Sequence, residues 1–173
     1  MAKNFKNIES LQQVVNVVNE AEIALSDPKH TIRNSAISEV LTGALGAGAG
    51  GAISFAALYG LGTVGLSAAG ITSGLAAAGA LVGGGMVAGV FVLAAPVAAL
   101  AAGGVGITAA VKNKQLQKEK KRLYNAAVEK QNAIIKALRE ERNADKERID
   151  TLTSINILLE RAIKDLKSDL NCA

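Results

Sequence analysis

A chain of 173 residues has room for one ordinary domain, or for one membrane module with a soluble arm, and excludes a second enzyme domain. Half of its residues are apolar, yet it has no tryptophan and only 3% aromatic residues, which excludes a large core anchored by aromatic rings. The net charge of +4 is unevenly distributed, because no charged residue lies between Glu39 and Lys112. This uncharged window, residues 40–111, holds all 18 glycines and separates an N-terminal region, 1–39, from a C-terminal region, 112–173.

The N-terminal region begins with a predicted amphipathic helix. Apolar residues recur on one face of it: Phe5, Ile8, Leu11, Val15, Val18 and Leu25. Acidic residues within this stretch exclude a secretory signal peptide. A break at Asp27-Pro28 ends the helix, and a second short helix is predicted over roughly 31–41, with Thr31 as its cap. The apolar face needs a cover, which the C-terminal helix, a second copy of the chain or a membrane surface could provide.

The uncharged window predicts membrane insertion. Its 72 residues far exceed the roughly 18 that indicate one crossing, and they would supply two or three helices. Three units are separated by glycine-rich joints: LTGALGAGAGGAISFAALYG, GLSAAGITSGLAAAGALVGG and MVAGVFVLAAPVAALAAGG. Three crossings would place the N-terminal helix and the C-terminal arm on opposite sides, whereas two would let them pack together. The alternative is a helical hairpin buried inside a soluble oligomer and able to insert later.

Two stretches of the window match a dinucleotide-binding fingerprint, Gly46-x-Gly48-x-x-Gly51 and Gly60-x-Gly62-x-x-Gly65. Such a site needs an acidic residue about 20 positions further on, to hold the ribose, and no acid follows before Glu119. A phosphate-binding loop would need a lysine, and the window contains none. The sequence therefore argues against a nucleotide cofactor.

The glycines have a different predicted role, in helix packing. Four pairs are spaced four residues apart: Gly46 and Gly50, Gly70 and Gly74, Gly79 and Gly83, and Gly85 and Gly89. Each pair would lie on one helix face and let two backbones approach closely, which is how helices associate in lipid. These faces could hold the helices of one chain together or assemble several chains around a pore.

The stretch GLSAAGITSGLAAAGALVGGGMVAGVFVLAA, residues 65–95, resembles the core of the small interferon-inducible Gly/Ala-rich membrane proteins. The resemblance rests on Gly65-x-Ser67-Ala68-Ala69-Gly70-Ile71 and on the Gly83-Gly84-Gly85 cluster, and it covers under a fifth of the chain. It implies helical insertion into an organelle or cell membrane with an effect on membrane integrity, and it brings no catalytic residues. The long charged arm after residue 112 departs from that family's plan.

A basic segment follows the window directly. Six cations face one acid, Glu119: Lys112, Lys114, Lys118, Lys120, Lys121 and Arg122. Such a cluster predicts contact with anionic lipid headgroups and keeps its end of the window on the cytoplasmic side. Nucleic-acid binding, the competing interpretation of a basic run, is disfavoured because no aromatic residues are interleaved.

Strong helix formers predict one long helix over 112–170. Its last part has a heptad seam with positions a and d occupied by Ile149, Leu152, Asn156, Leu159, Ile163, Leu166 and Leu170. This pattern predicts a parallel coiled-coil dimer whose register is set by Asn156. The stretch REERNADKER interrupts the frame, and it could be a solvated part of the helix or a hinge.

Catalytic and metal sites find no basis in the sequence, since His30 and Cys172 are the single histidine and cysteine. We therefore predict an all-α, non-enzymatic membrane protein without cofactors, which self-assembles and perturbs a membrane. Its layout is similar to that of helical pore-forming toxins and secretion translocators. The alternative is a membrane-anchored adaptor or tether, whose coiled coil recruits a partner helix.

Overall fold

The computed structural model describes residues 4–5, 8–48, 54–61 and 109–171, and every regular element within them is helical. The elements are α1 (Ile8–Ser26), a 3-10 turn (Ile32–Asn34), α2 (Ser38–Ala47), α3 (Phe55–Leu61), α4 (Ala109–Glu140) and α5 (Lys146–Asn171). The all-α fold class is therefore confirmed for the described residues.

The C-terminal region forms an antiparallel pair of helices, α4 and α5, and the prediction of one helix over 112–170 was wrong. The chain leaves α4 where the N–H of Ala144 donates to the carbonyl of Glu141 at 2.9 Å. Arg148 closes the turn by donating to both carboxylate oxygens of Glu141, at 2.8 and 3.0 Å. REERNADKER is therefore not a solvated part of one continuous helix, because residues 141–145 form a turn between α4 and α5.

α1 packs against both α4 and α5. It runs parallel to α4, with Glu22 paired to Lys130, and antiparallel to α5. Its apolar face is buried at Leu11, Val14, Val15, Val17 and Val18, and Phe5, which precedes the helix, is buried as well. The C-terminal helices of the same chain therefore cover this face, which is one of the three possibilities that the sequence left open.

The connection from α1 to α2 is set by polar contacts. α1 ends at Ser26, before Pro28, as the break at Asp27-Pro28 predicts. The predicted helix over 31–41 is wrong in its bounds, because α2 begins only at Ser38. The N–H of Ile32 instead donates to Thr151 Oγ1 at 3.0 Å, which ties this connection to α5.

The first apolar unit of the window, residues 41–60, contains two short helices rather than one long one. α2 ends before Gly48, whose φ of 69° lies in the region that favours glycine. Both α2 and α3 pack on α5, and their buried residues are Val40, Leu41, Ala44, Phe55, Leu58 and Tyr59. No helix in the described residues combines the length and the apolarity of a membrane crossing. The other two units, 65–84 and 86–104, lie entirely within 62–108, outside the described residues.

α5 is the central helix, because α1, α2, α3 and α4 all contact it. Its buried apolar residues cover more than one face: Leu152, Ile155, Ile157, Leu158, Leu159, Ala162 and Leu166. A stripe of this width suits the middle of a bundle and is wider than the a/d seam of a coiled coil.

Candidate functional site

A buried ion pair joins the first half of α4 to the end of α5. Lys120 Nζ lies 2.7 Å from Asp169 Oδ2, and the two side chains are 0% and 1% exposed. Asp169 also accepts the backbone N–H of Asn4, at 2.6 Å, and that of Phe5, at 2.9 Å. Burial raises the pKa of Asp169, but the hydrogen bonds from Lys120, Asn4 and Phe5 outweigh it and hold the pKa below its usual 3.8. One ionised carboxylate thus connects three segments that are distant in the sequence.

A second carboxylate lies one turn earlier on α5. Asp165 Oδ2 accepts the N–H of Phe55 at 2.8 Å, where α3 begins. Beside it, Ser54 Oγ accepts the N–H of Ala57 at 3.3 Å, so two N–H groups that lack partners within the helix have acceptors. Burial and the charge of Asp169 raise the pKa of Asp165, and the hydrogen bond from Phe55 opposes them. The start of α3 is therefore fastened to α5 by a charged acceptor.

Aromatic rings extend this contact into the core. The centroids of Phe5 and Phe55 are 5.9 Å apart, those of Phe55 and Tyr59 are 5.6 Å apart, and all three side chains are buried. The Tyr59 hydroxyl accepts a hydrogen bond from Asn16 Nδ2 at 3.1 Å. Burial raises the pKa of Tyr59, while the bond from Asn16 lowers it and the charge of Glu20 adds to the rise. α3 is thereby linked to α1 as well as to α5.

Arg148 connects α1, α4 and α5 at the other end of the bundle. Besides Glu141, it reaches the carbonyl of Ala24 at 2.7 Å, in the last turn of α1. The hydrogen bond from Arg148 lowers the pKa of Glu141, although its partial burial opposes this. Nearby in the chain, His30 Nε2 lies 2.5 Å from Glu20 Oε1, and both side chains are buried. This end of the bundle is therefore closed by side chains.

The predicted lipid-headgroup residues separate into two groups. Lys114, Lys118 and Lys121 are exposed, and their spacing places them on one face of α4. Lys120 has no access to lipid in this structure because it is buried on Asp169. Arg122 is partly buried, with Nε 3.1 Å from Glu119 Oε2, and the side chain of Lys112 lies outside the described part.

The predicted oligomerisation residues are divided between core and surface. Leu152, Leu159 and Leu166, at position d, are buried against helices of the same chain. The residues at position a are only partly buried: Ile149, Asn156, Ile163 and Leu170. The three d positions of the seam are thus occupied within one chain, and Ile163 at position a also packs against the same core.

The predicted glycine-packing residues lie almost entirely outside the described residues: Gly50, Gly70, Gly74, Gly79, Gly83, Gly85 and Gly89. Gly46 is described, and it is exposed on α2. A Cβ built on Gly46 would meet no atom within 4 Å, so no close approach of two backbones requires a glycine there.

Sequence reasoning missed the roles of Asp165, Asp169, Arg148, Asn16 and Tyr59. A signal existed for the buried ion pair. Lys120 follows the helical spacing of Leu116, Leu123 and Ala127, and Asp169 continues the spacing of Ala162 and Leu166. A cation and an anion that each fall within an apolar stripe predict a buried pair.

Within the described part of the chain, no three His, Cys, Asp or Glu side chains lie close enough to hold a metal ion. Comparison of the chain with protein-family models, with curated proteins and with solved structures gave no match.

Proposed function

We propose that the protein inserts the apolar segment 62–108 into a membrane as a helical hairpin, and that the inserted segments assemble and permeabilise this membrane. The supporting observation is that α1 packs against both α4 and α5. Because the parts of the chain before and after the segment share one bundle, both flanks lie on the same side of any membrane that it enters.

The length of the segment agrees with an even number of crossings. Residues 62–108 number 47 and carry no charge, which accommodates two helices of about 20 residues and a short turn. The third crossing that the full window allowed would need residues 41–60, and the described parts of this stretch lie in two short helices, α2 and α3, that pack on α5. Two crossings are therefore the better supported topology.

The exposed cations of α4 support the orientation. Lys114, Lys118 and Lys121 follow the segment within about 13 residues and face solvent. Each such cation attracts an anionic leaflet by about 1 kcal/mol when it lies near the surface. We propose that the bundle remains on the cytoplasmic side, with this face of α4 against the lipid headgroups.

Assembly would use the glycine pairs of the segment. Gly70 and Gly74, Gly79 and Gly83, and Gly85 and Gly89 each give a helix a face without side chains. Close packing of such faces substitutes for the hydrophobic drive that lipid does not provide between helices. The membrane-anchored adaptor has less support, because a partner helix would compete with the protein's own core for Leu152, Leu159 and Leu166.

The test is dye release from anionic liposomes, with co-sedimentation to measure the bound fraction. The full chain is compared with a Gly74→Leu/Gly79→Leu variant. Gly46→Leu is the matched control, because a side chain at Gly46 meets open space. We expect the wild type and the control to release dye, and the double variant to bind the liposomes without releasing it. Binding without dye release by the wild type would contradict permeabilisation and leave an anchored bundle. Dye release by the double variant at the wild-type rate would contradict assembly through the glycines.

A further inference from the structure

We infer that Asp165 and Asp169 form a clasp that holds α3 and the N-terminal residues 4–5 on the bundle, and that opening of this clasp is the step that releases the apolar segment for insertion. The contacts of the clasp lie within the described bundle. Its role in insertion rests on the proposed function.

The geometry of the clasp is specific to the segments that it holds. Asp169 accepts the N–H groups of Asn4 and Phe5, and Asp165 accepts that of Phe55. These donors are all backbone groups. Residues 4–5 precede α1, and residue 55 begins α3, the last described helix before residue 62. Two carboxylates one turn apart therefore fasten two short segments at neighbouring points.

The two fastened segments also contact each other. The rings of Phe5 and Phe55 are neighbours, so the N-terminal residues cover part of the surface on which α3 lies. Loss of either segment would expose an aromatic ring of the other to water, which couples their release. The contact of Phe55 with Tyr59 and the hydrogen bond from Asn16 to Tyr59 extend this coupling to the rest of α3.

The clasp can open while the bundle persists. The antiparallel pair of α4 and α5 is held at its far end by Arg148 and Glu141, and along its length by buried residues such as Leu123, Ile134 and Leu158. α3 has seven residues, so its detachment exposes much less surface than global unfolding. Local opening of this kind is expected for a short element that contributes only a few residues to the core, here Phe55, Leu58 and Tyr59.

The experiment is hydrogen exchange of the full chain without lipid, read in peptides that cover 54–61. In Asp165→Asn, the N–H of Phe55 loses an ionised acceptor, and we expect exchange in 54–61 to accelerate by about tenfold. Peptides from α4 and α5 should keep their protection. Glu160→Gln, at an exposed acid of the same helix, is the matched control and should leave exchange unchanged.

A second variant guards against general unfolding. Phe5→Ala leaves both carboxylates in place and removes the ring that contacts Phe55, and it should also accelerate exchange in 54–61. Unchanged exchange there in both variants would overturn the clasp. So would a loss of protection that is equal throughout α4 and α5, since α3 would then have no separate opening.

Dye release from anionic liposomes tests the link to insertion. We expect Asp165→Asn to release dye about tenfold faster than the wild type and Glu160→Gln. Faster exchange in 54–61 with an unchanged rate of dye release would overturn the link. A wild type that binds no liposomes would instead contradict the proposed function, and hydrogen exchange would still decide whether the clasp exists.

Discussion

The buried pair of Lys120 and Asp169 makes a quantitative prediction about stability. Asp169→Asn keeps the shape of the side chain and removes its charge. Lys120 then remains 0% exposed beside a neutral amide, so its charge is buried without compensation. Removing one partner of a buried pair costs about 3–5 kcal/mol. With a urea slope of about 2 kcal/mol/M, the unfolding midpoint should fall by roughly 2 M.

The assay is urea unfolding of the full chain in mild detergent, followed by far-UV circular dichroism. Lys120→Met alone should also destabilise the fold, because it leaves the Asp169 carboxylate buried without its cation. The double variant Lys120→Met/Asp169→Asn buries no charge, and it should be more stable than Asp169→Asn alone, with a coupling free energy of about 2 kcal/mol or more. Lys136→Met, at the exposed pair with Glu140, is the control and should leave the midpoint unchanged. Additive single effects, or an Asp169→Asn cost under about 1 kcal/mol at an unchanged slope, would refute the buried pair.

Three further predictions concern other contacts of the bundle. Arg148→Met removes the two bonds to Glu141 and should lower the free energy of unfolding by about 2–3 kcal/mol, measured by the same urea unfolding; a cost below 0.5 kcal/mol would contradict the contact. Tyr59→Phe leaves the Asn16 amide buried without this acceptor and should cost about 1–2 kcal/mol, whereas an unchanged midpoint would show that the amide finds another partner. Asp169 and Glu141 should stabilise the fold less in acid, because their pKa values are lowered from 3.8 and 4.5 in the folded state; their stabilisation is present above these unfolded values and is lost as the pH falls through the lower, folded ones. The raised pKa of Asp165 acts in the opposite direction, so the test is urea unfolding of Asp165→Asn, which lacks this group, at pH 5 and pH 3; equal free energies at both would contradict the loss.

The helices themselves were predictable, but the reversal of the chain between α4 and α5 was not. Beyond Leu123 the sequence has neither glycine nor proline, so local propensity favours a continuous helix through residues 141–145. The break is supported by a contact between the turn and α5, the paired bonds from Arg148 to Glu141. Charged residues in REERNADKER indicated that the heptad pattern was interrupted. An interruption does not specify which residues, distant in the sequence, come into contact.

The heptad pattern correctly indicated an apolar stripe on α5, but the coiled-coil dimer inferred from it stays a prediction. Leu152, Leu159 and Leu166 do lie in an apolar interface, and that interface is the bundle's own core. Ile155 and Leu158 between them are also buried, which marks a wide stripe with neighbours on several sides. Counting these residues together with the a and d positions would have favoured a central helix over a two-stranded coil.

The basic segment shows which part of the buried pair of Lys120 and Asp169 could be predicted from the sequence. Composition groups Lys120 with Lys118 and Lys121, because all three lie in one run of cations. Helical spacing separates them, since Lys118 and Lys121 fall on the exposed face of α4 while Lys120 falls on the apolar face. The partner, Asp169, is 49 residues away and becomes a neighbour only once the hairpin is known. Spacing could therefore have predicted that Lys120 is buried, but not with which acid it pairs.

The two ends of the bundle differ in what their polar contacts hold. Arg148 joins the ends of long helices, which extensive apolar packing also holds together. Asp165 and Asp169 hold backbone groups of short segments, which carry few buried side chains of their own. A buried ion pair contributes little net stability compared with apolar residues of the same size, but it penalises any arrangement that leaves one charge unpaired. Lys120 keeps Asp169 ionised and aimed at residues 4–5 whether or not α3 is in place. The bundle can therefore retain Phe5 beside the site that Phe55 leaves, and reversible docking of α3 would require this ring together with the carboxylate of Asp165.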